Sequence, residues 1–296
     1  MNQMMTLYTK QKITSKGYFL SLSRTVVFLK ALFLAAFLMV HQGCAVDDTQ
    51  TVVNFTELTM QDEFNTDGAP DSTIWGYDIG TGQNGWGNQE LQYYTDRPEN
   101  VTINNGIMII TAQQENFQGS SYTSARLLTK NKFSQTYGRF EARIRVPYGQ
   151  GIWPAFWMLG VPEDQDEIWP SLGEIDIMEI RGQEPTKLIG SLHGPGYSGG
   201  EAISKEYVLQ NDRLDTGFHI YGIEWGPDYV NHYVDDVLYS QITPDDLPEG
   251  SAWVFDNDFY ILINLAVGGT FVGPPNAETV FPQSMLVDYV RAYKYN

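Results

Sequence analysis

Cysteine is nearly missing from this chain. Cys44 is the one thiol in 296 residues, which excludes a disulfide scaffold and a cysteine-ligated zinc site. Charged residues make up only 18% of the chain, with no Glu/Lys/Leu-rich heptads, so a coiled coil is excluded. Basic residues are few, 18 against 36 acidic ones. Five of them (Lys10, Lys12, Lys16, Arg24 and Lys30) fall in residues 1–43, which hold no acid, so residues 44–296 carry a formal charge of about −23. Such a body repels phosphate backbones, which argues against nucleic acid, and disfavours sulfated or uronic polymers. A neutral ligand meets no such barrier. No segment beyond residue 40 approaches the roughly 20 apolar residues of a membrane span.

The N-terminus reads as an address. Basic residues precede an apolar run over 25–40, Gly43-Cys44 follows, and the sequence then turns acidic at Asp47-Asp48. This is the order of a secretory signal. Cys44 directly after Gly43 resembles the lipid-attachment site of a bacterial lipoprotein, although His41 stands where that motif usually has Leu. The expected organisation is a signal over 1–43, a short tether over 44–58 and a single domain over 59–296. The protein is expected to be exported, either secreted or held by one lipid on the outer face of the envelope.

What the chain has in abundance is strand-forming sequence, with 42% hydrophobic and 14% aromatic residues. Period-two alternation dominates beyond residue 55. In 138–147, Phe140, Ala142, Ile144 and Val146 share one face and Arg139, Glu141, Arg143 and Arg145 the other. Asn105-Gly106 marks a hairpin. Further strands are expected at 88–95, 122–130, 152–159, 173–181, 187–193, 217–225, 229–241 (turning at Asp235-Asp236), 259–267 and 284–295. About a dozen strands with short connections predict an all-β, two-sheet antiparallel sandwich of jelly-roll type. A groove across one sheet would suit a polymer.

Glu174-Ile-Asp176-Ile-Met-Glu179 places three acids in six residues. In a regular strand Glu174 and Asp176 share a face and Glu179 has the wrong parity. A one-residue bulge around Ile177-Met178 would bring all three to one face. The bland alternative is a solvent-facing polar edge, made costly by three like charges with no Lys or Arg before Arg181. Their repulsion predicts that one carboxyl stays protonated near neutrality, as general acid catalysis requires.

This stretch resembles the catalytic motif of glycoside hydrolase family 16 in its bulged form. Gly87-Asn-Gln-Glu-Leu-Gln-Tyr-Tyr-Thr95, Tyr137-Gly-Arg-Phe-Glu-Ala-Arg143, Gly151-Ile-Trp-Pro-Ala-Phe-Trp-Met-Leu159, Ser191-Leu-His-Gly-Pro-Gly-Tyr-Ser198, Ile263-Asn-Leu-Ala-Val-Gly-Gly269 and Val287-Asp-Tyr-Val-Arg-Ala-Tyr293 agree in order. Together they span roughly 60–296 and look most like the laminarinase branch, the endo-β-1,3-glucanases. The resemblance implies a concanavalin-like sandwich with its groove on the concave sheet. It implies Glu174 as nucleophile, Glu179 as acid/base and Asp176 tuning the pair, in a retaining double displacement that needs no catalytic cofactor.

Trp153 and Trp157, four apart on a strand, share a face, and the resemblance places them beside the acids as a sugar-stacking platform. Trp86 is a candidate wall for more distant sugars. His193 is expected near the reactive sugar, and Asn88, Glu90 and Arg126 at positions that bind sugar hydroxyls or support the acids. Trp75, Trp169, Trp225 and Trp253 are assigned to core or rim, and His219 and His232 to ordinary strand positions. Asp164-Gln-Asp-Glu167 is expected to be a solvated loop. A structural calcium on the convex side is implied at Asp288 by side chain and at Glu63 and Gly106 by backbone carbonyl. The expected partner is a neutral β-glucan, bound by a monomer. Mixed-linkage β-1,3-1,4-glucan, then agarose or carrageenan, are alternative substrates, and a catalytically inactive glucan-binding lipoprotein is the alternative of a different class.

Overall fold

Alternation along the chain becomes a division of faces in space. In β8 (Gly138–Arg145), Phe140, Ala142 and Ile144 are fully buried while Arg139, Arg143 and Arg145 point outward. The computed structural model describes residues 54–162 and 168–295. The expected signal, Cys44, most of the 44–58 tether and the acidic loop Asp164–Glu167 lie outside the described residues.

Among the described residues, seventeen strands form two sheets. In spatial order one sheet runs β12 (Ile203–Val208), β11 (Lys187–His193), β10 (Glu174–Glu179), β9 (Ile152–Gly160), β16 (Phe259–Val267), β7 (Arg126–Leu128) and β2 (Gly76–Tyr77). The other runs β15 (Val237–Ile242), β14 (Tyr229–Val234), β13 (His219–Gly226), β8, β17 (Gln283–Tyr293), β5 (Ile107–Phe117), β6 (Ser120–Ser124) and β3 (Gln92–Tyr94). β1 (Leu58–Asp62) joins β17, and β4 (Val101–Asn104) joins β5 across the Asn105-Gly106 turn. All of these strand pairs are antiparallel except β3–β6. The fold is the expected two-sheet β-sandwich.

The apolar faces of the two sheets meet in one core that includes Trp75, Phe140, Phe156, Trp225, Phe255 and Phe259. Each such side chain contributes about 1.5–3 kcal/mol by leaving water. β16 is buried along its whole length because both of its faces are covered. Phe259, Ile261, Ile263, Leu265 and Val267 enter the core, while Tyr260, Leu262, Asn264 and Ala266 face the groove side.

Local geometry overrides alternation in three places. The strand expected at 88–95 shrinks to β3, because Trp86 (φ 54°), Gly87 (φ 84°) and Gln89 (φ 59°) are left-handed and coil 85–89 into a tight turn. The strand expected at 122–130 breaks at Ala125 as β6 and β7 part to different sheets. β12 carries no alternation. It is an edge strand whose exposed Lys205 and Glu206 discourage further pairing.

Candidate active site

β10 carries the acids, and its register explains how. Glu174 stands opposite His193 and Asp176 opposite Ser191 on β11, but the next paired residue, Glu179, meets Ile189. Ile177 and Met178 therefore face the single Gly190. Against β9, Asp176 pairs with Trp157 and Met178 with Phe156, which makes Ile177 the extra residue. This β-bulge lets Ile175, Ile177, Met178 and Ile180 all enter the core, while Glu174, Asp176 and Glu179 share the groove face.

The three acids are not left to repel one another unaided. Gly199 N–H donates to His193 Nδ1 at 3.1 Å, which leaves the imidazole proton on Nε2, 2.9 Å from Asp176 Oδ2 and 3.9 Å from Glu174 Oε1. The Trp169 indole N–H donates to Glu174, Glu174 hydrogen-bonds Asp176, and the Trp153 indole N–H donates to Glu179 Oε1 at 3.1 Å. Burial first, then repulsion by Asp176, raises the pKa of Glu174. Burial also raises Asp176, against its hydrogen bond with Glu174. Glu179 is pushed well up, by burial and by repulsion from both companions. The group thus holds protons near neutrality, as the sequence predicted. The Trp169 indole N–H and the neighbouring His193 favour the charged form of the Glu174–Asp176 pair, so Glu179 is the natural seat of a proton.

A polar chain leads away from the acids along the groove floor. Trp157 Nε1 donates to Asn264 Oδ1 (2.7 Å), Asn264 Nδ2 to Tyr94 Oη (3.1 Å) and Tyr94 Oη to Glu90 Oε2 (3.1 Å). Gln92 and Asn88 also donate to Glu90, whose pKa is raised by burial. Arg126 lies 4.8 Å from the Trp86 ring and 4.7 Å from the Trp157 ring, with Nε 3.0 Å from Asp78 Oδ2. Gln83, Asn84, Trp86, Gly87 and Arg126 line a cavity of about 370 Å³.

The expected site residues Trp86, Asn88, Glu90, Arg126, Trp153, Trp157 and His193 thus gather on the face of the three acids. Trp153 differs from an open platform. It is only 8% exposed, with its edge bound to Glu179 and its ring 4.9 Å from Phe271, which Arg181 covers at 4.3 Å. Trp169, assigned to core or rim, lies half-exposed beside the acids, 6.1 Å from the His193 ring. Its place five residues before Glu174 was the available signal. His232, read as an ordinary strand residue, is wholly buried and reaches the Asp176 carbonyl.

Glu174, Asp176 and His193 bring metal-ligating atom types close together, but a proton on His193 Nε2 leaves that nitrogen no lone pair to ligate with. On the other sheet, the pairings Asp62–Val290 and Met108–Val287 bring Glu63, the Gly106 turn and Asp288 to one stretch of β17. Asp288 accepts from Arg143, and Glu63 is held by Arg291. Calcium takes oxygen ligands of this kind, and to hold one here Asp288 would have to exchange its guanidinium partner for the cation.

Comparison with known proteins agrees with this geometry. The sequence profile described as "Glycosyl hydrolases family 16" matches residues 88–278. A β-glucanase of Rhodothermus marinus is 42% identical over 272 residues, spanning 88% of this chain and 94% of that protein. The catalytic domain of an endo-1,3-β-glucanase (laminarinase) from Thermotoga petrophila RKU-1 superposes with a TM-score of 0.77 at 44% identity, covering 83% of this chain and all of that one. The laminarinase of R. marinus gives 0.76 at 42% identity over 83% of this chain and 99% of its own.

Proposed function

The chain belongs to glycosyl hydrolase family 16, and from that premise we propose that it is an exported endo-β-1,3-glucanase acting with retention. The observation that carries this reading is the bulge at Ile177, which sets Glu174, Asp176 and Glu179 on one face of the groove. Glu179, with its raised pKa, protonates the departing glycosidic oxygen while Glu174 attacks the anomeric carbon. Asp176, hydrogen-bonded to Glu174 and with its Oδ2 2.9 Å from His193 Nε2, holds the nucleophile and absorbs its change of charge. Glu179 then takes the proton of the water that releases the glycosyl-enzyme. Trp153 orients Glu179 through its indole N–H, and Trp157, braced by Arg126 packed on its ring, borders the groove where the sugars lie.

The deciding experiment follows reducing-end release from laminarin, lichenan, agarose and carrageenan, with product sizes over time. Early mid-sized oligosaccharides from laminarin are expected, and the β-anomer should form first by NMR. Release confined to agarose or carrageenan would overturn the substrate, and first formation of the α-anomer would overturn the mechanism. The domain is proposed to act as a monomer tethered through Cys44, and fatty-acid labelling of the wild type but not of Cys44→Ser tests the tether. A calcium held by the Asp288 side chain and the Glu63 and Gly106 carbonyls is proposed as a structural ion. A chelator should lower the Tm of the wild type and leave Asp288→Asn unchanged.

A further inference from the structure

Building on the retaining-hydrolase reading of β10, we propose that His232 is a positioning residue that pins the catalytic bulge from the opposite sheet. His232 lies on β14, 56 residues from Asp176 in sequence, and its Nε2 is 3.2 Å from the Asp176 carbonyl oxygen. That carbonyl belongs to the last residue before the register shift, where the ladder with β11 is interrupted. The imidazole reaches it because Gly190, the one residue opposite the bulge, has no side chain. A Cβ there would lie 2.6 Å from His232 Cδ2, 3.0 Å from its Nε2 and 2.6 Å from the Tyr239 hydroxyl.

The chemistry of the ring supports the same role. His232 is wholly buried, which pushes its pKa down to about 4, so it is neutral and carries its proton on Nε2 toward the carbonyl acceptor. Its Nδ1 has no hydrogen-bond partner among the described residues. Packing alone would be served better by an apolar ring without an unpaired buried nitrogen. What an apolar ring could not do is donate to the Asp176 backbone. A shift of that backbone moves Asp176 against Glu174 and Glu179 together, and an error of about 1 Å in such a constellation costs on the order of 10²-fold in rate.

The test compares His232→Phe and His232→Gln with the wild type on laminarin, well below each Tm. His232→Phe should lower kcat about 10- to 100-fold with KM within about twofold. His232→Gln, which keeps an N–H donor, should recover most of the loss. The titratable groups around the bulge are Glu174, Asp176, Glu179, His193 and, from β15, Tyr239. As Glu179 drifts from Asp176 and Glu174, the alkaline limb of kcat/KM should move to lower pH in His232→Phe. Should His232→Phe fail to fold, Gly190→Ala presses on the imidazole with His232 in place and should give the same fall in kcat. A variant that loses Tm but keeps the wild-type kcat and pH profile would overturn the proposal, as would a Gln variant as slow as the Phe one. A wild type inactive on laminarin would instead sink the reading on which the proposal rests.

Discussion

Each acid in the groove has a distinct set of neighbours, and those neighbours separate the roles. Glu174 receives the Trp169 indole, Asp176 accepts from Glu174 with His193 Nε2 2.9 Å away, and Glu179 receives one indole N–H while both other acids repel its charge. Glu174→Gln and Glu179→Gln should each lower kcat by about 10³-fold or more, measured on laminarin. The same reasoning gives a stability result of opposite sign. An unfolded chain ionises Glu near pH 4–4.5, while folded Glu179 keeps its proton well above that. The native state therefore loses stability as pH rises from there toward the folded pKa. Glu179→Gln should melt above the wild type at pH 8 and level with it at pH 4, which thermal scans at both values would reveal. Single residues were unevenly legible in the sequence. The acids stood out by parity, and His193 by the motif around it. His232 gave no signal, because its contact with Asp176 depends on how two sheets stack and on the missing side chain of Gly190.

Strands with clear alternation (β8) or a short apolar run (β16 and β11) could be read directly, and all three fall where expected. β10 could be read because its violation of alternation was itself informative. The turn at 85–89 could not, since left-handed Trp86 and Gln89 are held there by local backbone hydrogen bonds that no periodic pattern encodes. The bulge makes its own prediction. Removing Met178 leaves Glu174-Ile-Asp-Ile-Glu in strict alternation, so the acids keep a common face on a regular strand. That deletion should cost about 2–5 kcal/mol in stability, as lost core volume does, by denaturant titration. It should still hydrolyse laminarin measurably faster than Glu179→Gln. A deletion as slow as that mutant would mean that parity alone does not organise the site.

At the scale of the whole molecule, charge and groove point to the same class of ligand. The expected mature chain carries about −23, yet the groove floor offers indoles, amides and one guanidinium already paired with Asp78. A neutral glucan meets no long-range repulsion. Its kcat/KM should therefore change less than about twofold between roughly 0.02 and 0.5 M salt, while any release from carrageenan should rise steeply with salt. The sandwich architecture was legible from turn spacing and alternation. The partition of β6 and β7 between sheets was not, because nothing local at Ala125 announces a change of layer.

The Trp153–Glu179 contact has an optical consequence. An indole whose N–H ends on a carboxyl senses whether that carboxyl is charged, so Trp153 emission should track ionisation of Glu179 in the resting protein. Subtracting the titration curve of Trp153→Phe from that of the wild type isolates this fluorophore from the other six tryptophans. The midpoint of the difference reports, without any sugar present, where on the pH scale the group that delivers the proton lets it go.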